Sequence, residues 1–478
     1  MRVKASMLRL SDVLSALAGR EVAAPEHVIT DAVIDSRLAI PGALFVALKG
    51  ENVDGHEFIR QAFERGASVA LIDRDVAVDL PVIDLRGELS EPFLSASIPL
   101  CLRVENALDA LQKIGQSWRA KLPLRVIGIT GSVGKSTTKE LVADVLDQRY
   151  RTIRSPGNLN NEVGLPLTLL KLTEAHQRAV LEMGFYVPGE ISLLCRIARP
   201  QVGVVTNVSP VHMERAGSLE AIARGKAELV ESLPPAPEGV AILNYDDEYV
   251  RPMADKTQAS IFFYGLTPEA DLWASDIEGL GLEGVRFVLH YRGDSVHMRV
   301  PLLGQHSVHT ALRAAAVGLV EELTWQEIAG GLQESQSQLR LVAVQGPKGS
   351  LILDDTYNAA PPSVIAALNL LGELEGRRVA VLGDMLELGD YSEQGHRLVG
   401  GRAAEVAQEL VVIGERARWI ADEAIRSGLA PTSVRVCDSN QDAAEYLRER
   451  VREGDVILVK GSRGMRMDQI VDALEKTV

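Results

Sequence analysis

The stretch VIGITGSVGKSTTKELV, Val126 to Val142, decides the fold of this chain. Its apolar, β-branched start predicts a strand that runs into a turn with Gly131 and Gly134, and the residues from Lys135 onward predict a helix. A glycine-rich turn between a strand and a helix lets backbone N–H groups and the helix N-terminus bind phosphate oxygens. The sequence therefore predicts a phosphate-binding loop within an α/β domain.

The side chains of this loop have the chemistry that nucleotide binding needs. Lys135 can reach the outer phosphates, and the hydroxyl of Ser136 can ligate Mg²⁺. The common pattern wants a glycine where this chain has Ile129, and the glycine is at Gly128 instead. Because the strand, turn and helix patterns all agree, we still expect a nucleotide to be bound by Gly131, Ser132, Val133, Gly134, Lys135, Ser136 and Thr137.

Composition and charge argue against several classes of protein. A length of 478 residues predicts about three domains. There are 65 acidic and 50 basic residues, a net charge of −15 and no basic block, which disfavours nucleic-acid or anionic-membrane binding. The three cysteines lie far apart without a CxxC motif, which fits a reducing cytoplasm and disfavours a zinc–thiolate site. No apolar run reaches signal-peptide or membrane-spanning length, so we expect a cytoplasmic protein without membrane insertion.

Residues 1–100 alternate short apolar segments with polar turns. We predict a helix from Ser11 to Leu17, strands at Ala43–Leu48 and Ser68–Ile72, and a linker at Gly87–Pro99. Hydroxyl, guanidinium and ammonium groups suit an anionic ligand, although turns and solvated surface charges explain the same residues. The polar residues concerned are Ser36, Arg37, Lys49 and His56.

Polar residues follow the buried strands that come after the phosphate loop. A helix is predicted at Ala107–Arg119, and strands are predicted to end at Glu182 and before Asn207. Ligands of open α/β sheets bind at the carboxyl ends of the strands. Glu182 is therefore a candidate Mg²⁺ ligand, with an exposed strand-end carboxylate as the alternative.

Three further signals are weak when each is taken alone. His212 could be a hydrogen-bonded structural histidine, and Lys226 could be a solvated helix lysine. Asparagines 158, 160 and 161 in PGNLNNEVGLP could simply form a turn. Beyond about Leu341 the segments LILDD, RVAVLGD, ELVVIG and VILVKG predict the strands of another α/β domain.

The order of these motifs resembles the ATP-dependent Mur ligases of peptidoglycan synthesis. The motifs on which the resemblance rests are GITGSVGKS, the asparagine turn, LEMG around Glu182, NVSPVHMER around His212 and GKAE around Lys226. The resemblance runs from about Asp31 to Asp468. It implies a central P-loop ATPase-type domain with a mostly parallel sheet at residues 101–338. An N-terminal α/β UDP-binding domain at 1–100 and a C-terminal Rossmann-like α/β domain at 339–478 would flank it.

Within the family, the chain most resembles the branch that adds D-alanyl-D-alanine to a UDP-N-acetylmuramoyl tripeptide. The motifs are DSR…PGALFVALKGENVDGHEF, DDTYNAAPPS, VLGDMLELG and LVKGSRGMRMD. The branch that adds the third residue usually shows DNPR, which this sequence lacks. The resemblance implies an ADP-forming amide ligase that works through an acyl phosphate, uses ATP and Mg²⁺, and acts as a monomer on the UDP-linked tripeptide and D-Ala-D-Ala.

The resemblance also implies roles for single residues. Lys226, carbamylated by CO₂, would join Ser136, Glu182 and His212 around Mg²⁺. Lys135 and Asn161 would act on the transferred phosphoryl group. Arg340 and Asp355 would contact ATP. The implied substrate-binding residues are Ser36, Arg37, Lys49, His56, Asn158, Asn161, Tyr357, Asn358, Lys460 and Arg463.

The sequence departs from the family where asparagines help to hold adenine. The family segment GxHNxxNxLAA is GQHSVHTALRA in this chain, with Ser307 and His309, which leaves adenine contact open at both positions. Ala360 stands where YNANP would carry a second asparagine. Two other functions stay open: a related ligase such as a folate polyglutamate ligase, and, from a different class, a regulatory nucleotide switch.

Overall fold

The computed structural model describes residues 7–50, 53–77, 79–87, 97–211, 213–334 and 342–475. These residues form three α/β domains, each on a mainly parallel sheet, which confirms the predicted fold class. His212 and Arg340, two predicted site residues, lie outside the described residues. Across the described ranges, the helices are all too short or too polar to cross a membrane.

The first sheet has five parallel strands in the order β1-β2-β3-β5-β4. The helix predicted from Ser11 is confirmed as α1, and the two predicted strands are confirmed in shorter form as β2 and β3. The elements are α1 (Leu10–Ala18), β1 (Ala32–Val33), β2 (Leu44–Val46), α2 (Ile59–Glu64), β3 (Val69–Ile72), β4 (Val82–Asp84) and β5 (Leu100–Arg103).

Most of the predicted linker at Gly87–Pro99, residues 88–96, lies outside the described residues, but the strands on either side of it show that it does not separate two domains. Strands β4 and β5 pair directly, with Val82 opposite Cys101, so the segment connects two strands of one sheet. Proline and serine are as common in loops within a domain as in linkers, and composition alone did not separate the two cases. The first sheet also continues past residue 100, the predicted end of the N-terminal domain.

The central sheet has nine strands in the order β14-β13-β12-β11-β10-β9-β6-β8-β7. The seven strands from β6 to β12 are parallel to one another, and β13 and β14 add an antiparallel edge. The strands are β6 (Arg125–Thr130), β7 (Thr152–Arg154), β8 (Arg178–Glu182), β9 (Val202–Val205), β10 (Val240–Asn244), β11 (Ser260–Gly265), β12 (Leu272–Gly279), β13 (Val285–Tyr291) and β14 (Asp294–Val300). The helices are α3 (Ala107–Lys121), α4 (Lys135–Asp147), α5 (Gly164–Leu170), α6 (Glu190–Ala198), α7 (Met213–Ala216), α8 (Leu219–Glu231), α9 (Val308–Val320) and α10 (Trp325–Glu334).

The third sheet has six strands in the order β15-β16-β20-β17-β18-β19, and only the edge strand β15 is antiparallel among those described. The strands are β15 (Val342–Gln345), β16 (Leu351–Asp355), β17 (Arg378–Gly383), β18 (Glu409–Ile413), β19 (Val434–Cys437) and β20 (Val456–Lys460). The helices are α11 (Pro361–Glu373), α12 (Ser392–Val406), α13 (Arg418–Arg426), α14 (Asn440–Arg450) and α15 (Asp468–Glu475). The four predicted C-terminal strands are confirmed as β16, β17, β18 and β20.

Helix α3 joins the first two domains through one hydrophobic core. Asn106 caps the helix by accepting a hydrogen bond from the Asp109 N–H, as expected of an asparagine before an apolar periodic segment. Its apolar face, including Leu111 and Trp118, belongs to a cluster that contains strands of the first sheet and helices of the central domain. A second cluster fills the opposite face of the central sheet between α4 and α9.

A buried histidine holds the loop that follows β17. His396, fully buried in α12, accepts a hydrogen bond from the Met385 N–H at Nε2, 3.0 Å away, and its Nδ1 lies 2.6 Å from the Ser392 carbonyl oxygen. These bonds require the neutral ring. Burial is the main cause that lowers the pKa of His396, and the Arg416 charge lowers it further, against opposing effects of the Ser392 carbonyl and Asp384.

This histidine is expected to make the protein acid-sensitive. An unfolded histidine has a pKa of about 6.5. Because the folded pKa is lower, the unfolded chain binds more protons as the pH falls below that value, and stability is lost. We expect the thermal midpoint of the wild type to fall between pH 7.5 and pH 5 by more than that of His396→Gln, as measured by circular dichroism. Equal losses in the two proteins would contradict this account, since carboxylate effects are common to both.

Candidate active site

The phosphate loop has the backbone conformation that its glycines predict. Gly131 has φ +142° and Gly134 has φ +83°, both in the region that side chains disfavour. A Cβ on Gly131 would lie 1.8 Å from Oγ1 of Thr206. The loop can therefore approach the end of β9 this closely only with glycine at position 131.

The residues that follow β9 hold this loop in place. The backbone N–H groups of Ser132 and Val133 donate to Asn207, at its carbonyl oxygen (2.9 Å) and at Oδ1 (3.0 Å). Thr206 Oγ1 donates in return to the Val133 carbonyl oxygen at 2.7 Å, and Ser132 Oγ contacts Ser209. Since β9 is the neighbour of β6, its carboxyl end lies beside the loop. The loop is thus pre-shaped by protein contacts.

Helix α4 begins directly after Gly134, with Lys135, Ser136 and Thr137 in its first turn. Nζ of Lys135 donates to the carbonyl oxygens of Gly131 (2.9 Å) and Ser132 (3.3 Å), so the ammonium lies over the loop. The first-turn N–H groups of a helix point to its N-terminus and attract anions. This arrangement can bind the phosphates of a nucleotide.

Ser136 and Glu182 form the candidate metal site. Ser136 Oγ donates to Glu182 Oε2 at 2.6 Å, and the Asn160 amide donates to Oε1 at 2.9 Å. Glu182 is only 2% exposed, at the carboxyl end of β8. Mg²⁺ prefers oxygen ligands and is often bound by one or two carboxylates together with phosphates. A hydroxyl, a carboxylate and nearby phosphates fit that preference, although the described His, Cys, Asp and Glu residues form no group of three that could hold a metal by themselves.

Lys226 is buried on α8, with no anionic partner among the described residues. Its side chain is 2% exposed, and its Nζ lies 5.2 Å from the ring centroid of Phe185. No ion pair or hydrogen bond to this ammonium occurs among the described residues. Burial, followed by the charge of Lys135, lowers the pKa of Lys226 well below its usual value. The burial rules out the alternative of a solvated helix lysine, because α8 packs this face against the central sheet.

The asparagine turn contributes a residue to which the sequence patterns assigned no role. Asn161 Oδ1 accepts from the N–H of Gly164, the first residue of α5, at 2.8 Å, and the Asn158 carbonyl accepts from the Asn160 N–H. Asn160 is the one that contacts Glu182. Buried Lys139 donates to the Ser155 carbonyl at 2.7 Å and to the carbonyl of Gly157, which fixes the start of the turn.

In the first domain, the four predicted anion-binding residues follow β1 and β2 at the carboxyl edge of the sheet. Buried Ser36 donates from Oγ to Gln61 Oε1 at 2.6 Å, and exposed Arg37 pairs with Asp35 at 2.7 Å. Lys49 is exposed. His56 is buried like Ser36, and carboxylates face both of its ring nitrogens, Asp54 at 2.8 Å and Asp73 at 3.1 Å.

In the third domain, the predicted residues gather at the carboxyl ends of β16 and β20. Asp355 and Lys460 are register partners, and Nζ of buried Lys460 donates to Asp355 Oδ2 at 2.6 Å and to the Asn358 carbonyl at 2.9 Å. The Arg463 guanidinium lies 5.6 Å from the centroid of the Tyr357 ring. The structure therefore brings these five side chains of the third domain to one sheet edge.

Helix α9 approaches the phosphate loop through Arg313, whose Nη2 is 3.2 Å from the position that a Cβ would take on Gly134. Counted along the family pattern, Thr310 rather than His309 stands at the second asparagine, and Arg313 stands at an alanine. His309 Nε2 lies 2.9 Å from Asp246 Oδ2, and Ser307 is buried with its Oγ donating to the Gly304 carbonyl. Ala360 precedes α11 as its N-cap residue.

Three contacts at the site are not predicted from the sequence. Asn160 donates to Glu182, Asn207 accepts from the phosphate loop, and Arg313 lies beside Gly134. The position of Asn207 after a buried strand was a usable signal, because neighbouring parallel strands end at the same edge. Arg313 had a weaker signal, the replacement of an apolar family residue by a cation. The sequence holds no signal that Asn160 rather than Asn161 contacts Glu182.

Comparison with known protein families covers all three domains. The family description "Mur ligase family, catalytic domain" matches residues 28–119, "Mur ligase middle domain" matches 129–318, and "Mur ligase, glutamate ligase domain" matches 339–463. A Bacillus subtilis relative named UDP-N-acetylmuramoyl-tripeptide–D-alanyl-D-alanine ligase is 35% identical over 94% of each chain. The Escherichia coli protein of the same name is 32% identical over 99% of each.

Solved structures give the same result. The chain is similar to MurF from Acinetobacter baumannii, with a TM-score of 0.83 and 29% identity over 100% of both chains. It is also similar to MurF ligase from Thermotoga maritima in complex with ADP, with a TM-score of 0.77 and 27% identity over 94% of this chain and 97% of that one. The family descriptions, the relatives and the phosphate loop agree, and the chain belongs to the Mur ligase family.

Proposed function

We propose that the protein is an ATP-dependent, ADP-forming ligase that joins D-alanyl-D-alanine to a UDP-N-acetylmuramoyl tripeptide in peptidoglycan precursor synthesis. The observation that carries the proposal is the match, over nearly the full length of both chains, to relatives that bear this name. The phosphate loop and the Ser136–Glu182 contact supply the chemistry such a ligase needs. The ADP complex of the Thermotoga maritima protein supports nucleotide use.

The first step activates the terminal carboxylate of the tripeptide. A carboxylate oxygen attacks the γ-phosphorus of ATP, the bond from that phosphorus to the bridging oxygen breaks, and ADP leaves with the electron pair. Lys135 and the first turn of α4 bind the phosphates and stabilise the charge that develops on them. Asn161, at the turn beside Glu182, would orient the reacting phosphoryl group.

The second step forms the amide. The free amine of D-Ala-D-Ala attacks the acyl carbon, loses a proton, and phosphate leaves from the tetrahedral intermediate. We propose that the edge of the first sheet binds the UDP end of the substrate through Ser36, Arg37, Lys49 and His56, with Asn158 nearer the peptide. The edge of the third sheet would bind nucleotide and dipeptide through Arg340, Asp355, Tyr357, Asn358, Lys460 and Arg463. Gathering the reactants in this way replaces encounters in solution with one bound geometry.

The metal site of the proposal consists of Ser136, Glu182, His212 and carbamylated Lys226. Mg²⁺ bound there would neutralise phosphate charge. Carbamylation joins the neutral Lys226 nitrogen to the carbon of CO₂ with loss of one proton, which converts the amine to a carboxylate. Lys226 is buried and has no anionic partner in the part of the chain that the structure describes. This environment supports the step, because it favours the neutral amine that reacts with CO₂.

The proposal predicts a strict dependence on substrates. With ATP and Mg²⁺, we expect phosphate release only when the UDP-N-acetylmuramoyl tripeptide and D-Ala-D-Ala are both present, with the product heavier by the dipeptide minus water. Lysine- and diaminopimelate-containing tripeptides are tested in parallel, and Lys135→Met serves as an inactive control. Phosphate release and product mass are the measurements.

The other outcomes separate the alternatives. Release with a different amine would contradict the dipeptide assignment and keep the ligase chemistry. Turnover with a folate and glutamate, without any UDP-peptide, would favour a folate polyglutamate ligase. Slow hydrolysis that ignores every amino-acid substrate would favour a nucleotide switch.

We also propose that the enzyme acts as a monomer in the cytoplasm. Its three cysteines, Cys101, Cys195 and Cys437, are unpaired and buried, which suits a reducing compartment. Size-exclusion chromatography with light scattering would test the monomer.

A further inference from the structure

Arg313 is a buried cation beside the phosphate loop. It lies in α9, and its side chain is 4% exposed. Its Nη2 is 3.2 Å from the position that a Cβ would take on Gly134, the residue just before α4. The guanidinium therefore lies against the backbone where the loop becomes a helix.

The contacts of Arg313 among the described residues include no anion, although its guanidinium lies 5.8 Å from the centroid of the Tyr264 ring. Nη2 donates to Thr310 Oγ1 at 2.7 Å, and Nη1 makes a long contact of 3.5 Å with the Tyr264 hydroxyl, both neutral groups. Buried Nε has no hydrogen-bond partner among the residues that the structure describes. In the described ranges, Arg313 pairs with no carboxylate. A guanidinium offers five N–H donors, so this site satisfies only part of it.

The acids of the neighbouring loop are already engaged. Asp246 accepts from the Leu266 N–H and lies 2.9 Å from Nε2 of His309. Asp247 accepts from the N–H groups of Val208 and Tyr249. A buried charge without a partner destabilises a protein, so a buried cation beside an anion site is best explained by a counter-charge that binds there.

A second buried arginine shows what a structural role looks like. Arg119 is 5% exposed, and its three nitrogens donate to the carbonyl oxygens of Ala198, Leu122 and Leu124 at 2.9–3.0 Å. Leu124 precedes β6, whereas Gly131 follows it, so Arg119 lies at the opposite edge of the central sheet. Each of the three guanidinium nitrogens of Arg119 donates a hydrogen bond, whereas Nε of Arg313 has no partner among the described residues.

We infer that Arg313 is a positioning residue for the nucleotide. The nucleotide's polyphosphate, bound at the phosphate loop, supplies the negative charge that the Arg313 guanidinium lacks within the described protein. This inference rests on the nucleotide use in the proposed function and adds a cation to Lys135. It also explains the local sequence, since Thr310 and Arg313 bond to each other where the family pattern has asparagine and alanine. Nucleoside di- and triphosphates are the ligand class concerned.

The test separates charge from structure. Arg313→Met is expected to keep or raise the thermal midpoint of the nucleotide-free protein, because an uncompensated charge is removed. Its affinity for MgADP should fall about ten- to a hundredfold, the range for charges several ångströms apart at an effective dielectric constant of about 20. Arg313→Lys should recover part of the loss. Titration calorimetry at two salt concentrations and thermal unfolding with and without MgADP are the measurements.

Arg119→Met is the matched control. It should lower the midpoint of the nucleotide-free protein and leave the MgADP affinity unchanged. If Arg313→Met behaves like this control, Arg313 is structural and the inference is wrong. If the wild type itself fails to bind MgADP, the nucleotide use in the proposed function fails first, and the inference fails with it.

Discussion

Replacing Lys226 by methionine is expected to lower kcat/KM for ligation by about a thousandfold, since a charged ligand beside the phosphates would be lost. The thermal midpoint should stay constant or rise. Methionine keeps the apolar stem against Phe185 and removes an amine that is buried with no anionic partner among the described residues. Burying an unpartnered polar group is costly, so its removal does not destabilise the fold. Steady-state kinetics and thermal unfolding measure the two effects.

Lys226→Ala gives the sharper test, because it leaves space where the side chain was. Formate or acetate should restore part of the activity of Lys226→Ala, by supplying a carboxylate in place of the carbamate. The same salts should not restore Lys226→Met, whose side chain fills that space. Removal of dissolved CO₂ should lower the activity of the wild type alone.

Full activity of Lys226→Ala would rule out a role for this residue in the reaction. Equal rescue of both variants would show that the carboxylate acts elsewhere. A large fall in the thermal midpoint of Lys226→Met would show that the buried amine has a structural partner. Burial without an anionic partner would then not explain why the Lys226 amine reacts with CO₂.

The parts of the fold that depend on local patterns were predictable from the sequence. A β-branched segment, a glycine turn and a helix start define the phosphate loop, and the structure has β6, Gly131, Gly134 and α4 in that order. The proximity of Glu182 to the loop followed from a general rule, because parallel strands end at the same sheet edge. In the structure, Ser136 donates a hydrogen bond to Glu182, as this proximity allows.

The contacts that depend on how distant segments of the chain pack together were not predictable from the sequence. Asn160 and Asn161 are adjacent, and only the turn geometry decides that one contacts Glu182 while the other accepts a hydrogen bond from the first residue of α5. The linker at Gly87–Pro99 failed for a similar reason, since only strand pairing shows that β4 and β5 belong to one sheet. Arg313 and Gly134 are far apart in the sequence, and no local pattern brings them together.

Gly131→Ala is expected to lower kcat/KM by at least about a hundredfold, because a displacement of about 1 Å at a reacting group has that effect. The added Cβ would lie 1.8 Å from Thr206 Oγ1 and 3.0 Å from the Thr206 nitrogen, so backbone as well as side chain must move. The movement would break the Thr206–Val133 hydrogen bond and shift the loop away from Asn207. A cost of about 1–3 kcal/mol in unfolding free energy follows from overpacking. MgADP titration, kinetics and thermal unfolding would measure it.

Gly401→Ala is the control for this substitution. Gly401 lies within α12, and a Cβ there meets only Ser427 Oγ at 3.9 Å. Alanine in a helix interior is favoured over glycine by about 1 kcal/mol, so this variant should be more stable and fully active. The same chemical change is therefore expected to have opposite signs at the two sites.

The double variant Gly131→Ala/Thr206→Ala identifies the cause. If the clash with Thr206 Oγ1 disables the loop, the double variant should lose less activity than the two single losses together. Recovery should stay incomplete, because the Thr206 nitrogen and the positive φ of residue 131 still oppose a side chain. Strictly additive losses would show that the glycine serves the backbone conformation alone, and that the close approach of β9 to the loop has no part in binding the nucleotide.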